Sequence, residues 1–204
     1  MARANLSCVL LIFVVYTVGL TGFITARTQA GMDFIRASCA GTRYQPLCIQ
    51  SLTPYANTIG QDQRLLAKAA LSVSLTQAQS CSAFVSNLAR SKGLNSRAYL
   101  AVQDCVNQVG DSVNRLSNAV QELGNLSPSG SQDFTWHMSN VQTWTSAALT
   151  DANTCLDEFS RQTMDAKDKV MIRARVLTIA QHSSNALALV NRFAVKHRKG
   201  STKP

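Results

Sequence analysis

The sequence predicts an all-α protein, an antiparallel four-helix bundle preceded by a short N-terminal helical hairpin. Two observations carry this. Apolar residues recur at helical 3–4 spacing through four long segments, and no run alternates apolar and polar in the manner of a strand. Proline is scarce, 4 in 204 residues. Pro46, Pro54 and Pro128 stand near presumed boundaries and Pro204 ends the chain, so no long segment is broken internally.

The elements follow in chain order. Arg3 supplies a positive start, Leu6 to Val18 is an uncharged apolar run, and small residues follow at Thr25-Ala26 and Gln29-Ala30. This is the pattern of a secretory signal, taken as residues 1–26 with cleavage as late as 30. A membrane anchor is the competing reading; Gly19 and Gly22 interrupt the run, and no basic stop-transfer cluster follows. The remaining length suits one domain, 27–195. Within it, residues 32–60 carry Phe34-Ile35 and Cys39-x8-Cys48, read as a helical hairpin that Thr53-Pro54-Tyr55 breaks. Residues 62–195 hold the bundle, and the basic run from Lys196 opens a polar tail, 196–204.

Four stripes define the bundle helices. From about Asp62 to Ser91 the stripe is Leu66, Ala70, Val73, Cys81, Phe84 and Leu88, interrupted at Gln77. From Ser96 to Leu123, Val102, Val106, Val109, Val113, Leu116, Val120 and Leu123 keep an unbroken 4-3-4-3-4-3 spacing. After a loop at Asn125 to Ser131 come Phe134, Met138, Val141, Thr145, Ala148, Ala152, Cys155 and Phe159. From Asp165 to about Val195 the stripe is Ile172, Val176, Ile179, Ser183, Ala186, Val190 and Phe193. Gly60, Gly93, Gly124 and Gly130 mark the joints. No helix can bury its stripe alone, so the four must share one core.

Composition narrows function. The chain has 20 Lys+Arg against 11 Asp+Glu; without Arg3 the balance is 19 against 11, or +8. That excess suits anionic partners or simply solubility. Export and the shortage of aromatic residues argue against nucleic acid. The five cysteines beyond Cys8 meet an oxidising compartment, so bridges are expected with one thiol left over. No Cys/His group has metal spacing. His137, His182 and His197 stand in no nucleophile-elbow or zincin motif, and no glycine-rich phosphate loop occurs. No cofactor, metal or catalytic residue is expected.

The stretch Cys39-Ala-Gly-Thr42-Arg-Tyr44-Gln-Pro46-Leu-Cys48 resembles the N-terminal signature of the plant invertase and pectin methylesterase inhibitor family. Asp104-Cys105 running on to Asp111-x-Val113, Thr143-Trp144 through Thr154-Cys155, and Asn185-Ala186-Leu187 agree with it in order and spacing. The resemblance implies bridges Cys39–Cys48 and Cys105–Cys155. It leaves Cys81 as a buried small hydrophobe or, alternatively, an intermolecular bridge. In the chain-entropy model the two loops, of about 10 and about 51 residues, are worth about 2.7 and about 4.1 kcal/mol.

The resemblance further implies a secreted apoplastic protein that inhibits pectin methylesterase in a stoichiometric complex covering the substrate cleft. Acid invertase is the alternative target, although the Pro-Lys-Phe element of many invertase blockers is missing. A non-inhibitory secreted helical signalling or binding protein is the alternative of another class. The family's contact positions fall on Asn107, Asp111, Asn114, Thr154 and Asp157, where amides replace two of the acids and lose the charge-assisted part of a contact. Asn125-Leu-Ser127 is the one glycosylation sequon beyond the signal, with Pro128 after it. No stable membrane insertion is expected after signal removal, and the tail is a candidate for weak contact with anionic pectin.

Overall fold

The computed structural model describes residues 27–91, 94–126, 131–159 and 166–198. The expected signal 1–26, Ser127 and Pro128 of the sequon, and residues 199–204 lie outside them. Helix α1 covers 27–39 and α2 covers Gln45–Leu52; a 3-10 turn at Thr53–Tyr55 leads to the short α3, Ala56–Ile59. The long helices are α4 (Gln63–Ala89), α5 (Ser96–Gly124), α6 (Gln132–Glu158) and α7 (Ala166–Arg198). Helix α7 runs through Lys196, His197 and Arg198, so the first three residues expected in the tail are helical.

Helix starts follow local chemistry. The Asp62 carboxylate accepts from the Arg64 and Leu65 amides, the Asn95 side chain from Ala98, and the Ser131 hydroxyl from Phe134. Each occupies a donor that the helix itself cannot satisfy. Gly60 ends α3 at φ 52°, in the region that favours glycine.

Helix ends use a different device. Neither α5 nor α6 has a basic residue in its last turn; a neighbouring helix supplies one instead. Arg64 on α4 donates to the carbonyls of Leu123 and Gly124 at 3.1 and 2.9 Å. Arg173 on α7 donates to Leu156 at 3.1 Å, and Arg192 donates to Ser38 at the end of α1 at 2.6 Å. Guanidinium groups thus meet the negative ends of three helix dipoles from across the packing.

The long helices form a square in sequence order, with α4 beside α5, α5 beside α6, α6 beside α7 and α7 beside α4. Two opposed edges result. The α1–α3 hairpin lies across the α4–α7 edge, with α2 touching both helices. Asn185 on α7 clamps it: the Tyr44 amide donates to Asn185 Oδ1 at 3.1 Å, and Asn185 Nδ2 donates to the Tyr44 carbonyl at 2.9 Å. Gly31 lets α1 pass over α3, because a Cβ there would run into the Ala56 carbonyl.

Every stripe residue expected on α6 and α7 is buried, including Phe159 just past the end of α6. On α5 the stripe is half right. Val102, Val109, Leu116 and Leu123 are buried, but Cys105, Ser112 and Ala119 alternate with them, and Val106, Val113 and Val120 are only partly covered. On α4 the expected Leu66, Ala70 and Cys81 are buried together with Ala67, Leu71, Ser74, Ala78 and Val85, while Val73, Phe84 and Leu88 lie at the margin. Small residues turn inward where helix backbones approach closely, and the larger side chains flank them. Gln77 therefore interrupts nothing, since Ala78 fills the inward position.

Bridges join Cys39 to Cys48 and Cys105 to Cys155. Cys81 is free and buried. Burial pushes its thiol up to about 11 against the opposing effect of Arg175, so it is a packed small hydrophobe and not a surface thiol poised to link two chains.

Candidate interaction face on the α5–α6 edge

Among the described residues nothing covers the edge opposite the hairpin, and its two helices are tied to each other along their length. Cys105–Cys155, with Cα atoms 4.8 Å apart, closes one end. Next, the Ser112 hydroxyl donates to the Ala148 carbonyl at 3.1 Å. Near the middle Arg115 pairs with Asp151 at 2.8 Å, and the Asp151 side chain is only 12% exposed. At the other end the Glu122 carboxylate meets His137 Nδ1 at 2.8 Å and accepts from Asn140 Nδ2 at 2.9 Å.

The charge state of these groups follows their surroundings. Burial raises the pKa of Asp151; Arg115 opposes the rise, and the nearby Asp111 carboxylate adds to it. Glu122 is held below the usual carboxylate value, chiefly by the hydrogen bond from Asn140, with His137 contributing.

On this frame all five expected contact residues are exposed: Asn107, Asp111 and Asn114 on α5, and Thr154 and Asp157 on α6. The 4-3 spacing of the first three puts them on one face of α5, and Thr154 and Asp157 share a face of α6. The Thr154 hydroxyl donates to the Thr150 carbonyl at 3.0 Å, which leaves its oxygen as an acceptor toward solvent. Asn125 is exposed just beyond α5, at its C-cap.

Sequence reasoning missed Arg115, Asp151 and the Glu122–His137–Asn140 cluster. The stretch from Trp136 to Gln142 resembles the pectin methylesterase inhibitors in sequence, but sequence reasoning gave no contact role to Trp136, which is 62% exposed near the start of α6. Trp136, Thr143, Thr150 and Asp157 repeat every seven residues, so the indole shares the outer face with Asp157. The sequence does contain that signal, since a tryptophan one heptad from an exposed position is readable once the inward stripe is assigned.

Charge is segregated between the two edges. Helices α5 and α6 hold seven of the 11 Asp and Glu residues and only Arg97 and Arg115 among the bases. Helices α4 and α7 hold nine Lys and Arg and one acid, Asp168. A basic protein therefore presents a net acidic face on its uncovered edge. Among the described residues no group of three or more His, Cys, Asp or Glu is placed to hold a metal ion, and no helix is long and apolar enough to cross a membrane.

A family model described as plant invertase/pectin methylesterase inhibitor matches residues 33–189. A 21 kDa protein of Daucus carota is 46% identical over 184 residues, spanning 90% of this chain and 95% of that one. Pectinesterase inhibitor 11 of Arabidopsis thaliana is 45% identical over 194 residues, spanning 92% and 96%. A crystal structure of a mutant form of a pectin methylesterase inhibitor from Arabidopsis superposes with TM-score 0.60 at 22% identity, over 75% of this chain and 92% of that one, which shows the shared fold.

Proposed function

This chain belongs to the plant invertase/pectin methylesterase inhibitor family, and we propose that it inhibits a plant pectin methylesterase by laying its α5–α6 edge over the substrate cleft. The observation that carries this reading is the edge itself. It is uncovered, braced from end to end, net acidic, and exposes Asn107, Asp111, Asn114, Thr154 and Asp157 together. Several relatives named as pectinesterase inhibitors, at 36–45% identity, support pectin methylesterase over acid invertase as the target.

Inhibition of this kind needs no chemistry from the inhibitor. A rigid surface complementary to the cleft rim excludes the polymer, and bracing limits the side-chain ordering lost on binding. The acidic face makes association salt-sensitive wherever the cleft rim carries basic groups. The polypeptide is secreted to the cell wall under the direction of residues 1–26. Asn125, exposed at the C-cap of α5, is a site of partial glycosylation, and the basic tail makes weak contact with anionic pectin.

Titrating the purified chain separately into pectin methylesterase and acid-invertase assays tests the target. Inhibition of invertase alone, or of neither, overturns the reading. The contact surface has its own test. Replacing Asp111 and Asp157 together by Ala weakens binding by about tenfold or more, with helicity and melting unchanged because both side chains are exposed. Unchanged affinity in that variant places the contact on another face.

A further inference from the structure

A second concave surface lies on the opposite edge, where the hairpin meets α4 and α7. It is a cleft of about 370 Å³, within the roughly 300–1,000 Å³ range of small-molecule pockets. Three separate elements converge on it: the 47–55 stretch of the hairpin, Val73 to Gln77 of α4, and His182 of α7. His182 is 7% exposed as a residue and lines the cleft. Its ring nitrogens are not among the buried side-chain atoms left without a partner, so they open onto the cleft and can meet a ligand there.

From this arrangement we infer that the hairpin cleft is a binding site for an uncharged saccharide ring, with His182 as its hydrogen-bonding anchor. The chemistry of the lining selects this class. No Lys, Arg, Asp or Glu borders the cleft, so an ionised ligand would shed water without gaining a counter-charge. Burial holds the pKa of His182 down; the neutral ring offers one N–H donor and one acceptor, the pair of functions a hydroxyl group can answer. Gln50 and Gln77 add amides from two sides. Ser51 and Thr76 spend their hydroxyl protons on the Cys48 and Ser72 carbonyls and keep acceptor oxygens. Tyr55, Pro54 and Leu47 form an apolar wall that suits the C–H face of a pyranose, as an aromatic side chain with a polar tip does. The cleft faces away from the α5–α6 edge, so the inference stands whether or not the proposed inhibition does.

The test is a titration of the intact, disulfide-bonded protein followed through its histidine ring signals by NMR. The probes are methyl galactopyranosiduronic acid methyl ester, which is uncharged, and the same glycoside with a free carboxylate. The expected result is a saturable shift of the His182 signals with the uncharged probe, at a dissociation constant on the order of 1 mM. The carboxylate form should bind about tenfold more weakly. Tyr55→Ala, at a position 43% exposed and so tolerant of truncation, should weaken binding by a similar factor even if His182→Gln fails to fold. Unmoved His182 signals at saturating probe, equal binding of the two probes, or full binding by the Tyr55→Ala variant would each overturn the inference.

Discussion

The α5–α6 and α4–α7 edges face the same problem and solve it differently. Each is a pair of antiparallel helices whose outer margin would expose polar and apolar groups together. On the α4–α7 edge a separate hairpin is laid over the margin and held by the Asn185 clamp on Tyr44. On the α5–α6 edge nothing is added; the helices are tied directly by a disulfide, an ion pair and a histidine–carboxylate contact. The difference is what motivates the proposed docking edge. An edge braced without a cover keeps its outer face free, and most of the chain's acids sit there. The covered edge keeps the bases, three of which serve as caps on neighbouring helices.

Breaking the direct tie should cost most. Replacing Cys105 and Cys155 together by Ser removes about 4 kcal/mol in the chain-entropy model, against about 2.7 for Cys39 and Cys48. Denaturant titration of both variants measures the pair of values. If the hairpin bridge proved the more costly, the uncovered edge would not depend on its covalent tie. The two losses should also differ in kind. The first loosens the contact face and lowers affinity for the enzyme, and the second leaves affinity nearly intact.

Next in size is the clamp. Asn185→Ala deprives the Tyr44 amide and carbonyl of their partners and should cost about 2–3 kcal/mol. Hydrogen exchange should show the loss concentrated in α1–α3 while α5 and α6 keep their protection. Uniform loss would mean that the hairpin is part of the bundle's cooperative unit and not a cover.

Smaller still is the hydroxyl pair inside the covered edge. Ser74 and Ser183 are fully buried with their oxygens 2.7 Å apart. Either Ser→Ala change should cost about 1–2 kcal/mol by stranding the other hydroxyl, and the double change should cost less than the sum of the two. Additive losses would show that each serine is satisfied independently.

Periodicity revealed the long helices, and the hairpin was read from Phe34-Ile35 and the Cys39-x8-Cys48 spacing. The α6 and α7 stripes were assigned correctly although Thr145, Ala148, Ser183 and Ala186 within them are small. Periodicity missed the inward Ser74 and Ala78 of α4 and Ser112 and Ala119 of α5, while Leu66, Ala70 and Cys81 of the expected α4 stripe are buried. A pattern weighted by hydrophobicity favours the bulkier Val and Phe one position away. The contact positions expected on α5 came from the family resemblance, counted from Cys105, and the structure shows them exposed on one face of the helix. Arg115–Asp151 and the Glu122 cluster were not, because they require the register between two helices. The family's bridge pattern contained that register. Setting Cys105 against Cys155 in an antiparallel pair brings residue 112 level with 148, where the Ser112–Ala148 hydrogen bond is found.

The smallest expected effect separates the edges by sign. Asp151 on the uncovered edge has a raised pKa, with burial outweighing the pull of Arg115. His182 under the hairpin has a lowered one, again through burial. For an acid raised above its unfolded value, the folded state holds its proton more tightly. The contribution of Asp151 is therefore full below about pH 4, the unfolded value, and is lost as pH rises through the raised one. For a histidine lowered below its unfolded value the contribution is full above about pH 6.5 and is lost as pH falls through the lowered one. Acidification from neutral pH thus withdraws the His182 contribution under the hairpin and restores that of Asp151, whereas Glu122 on the uncovered edge, with its lowered pKa, loses its contribution only as pH falls through that lowered value. Melting temperature followed against pH for the wild type, Asp151→Asn and His182→Gln tests this. As pH falls, the wild type should lose ground against His182→Gln and gain ground against Asp151→Asn. Slopes of the same sign would show that the two edges do not respond to protons separately. Opposite slopes would mean that the two edges respond to protons separately, Asp151 by losing a buried charge and His182 by gaining one.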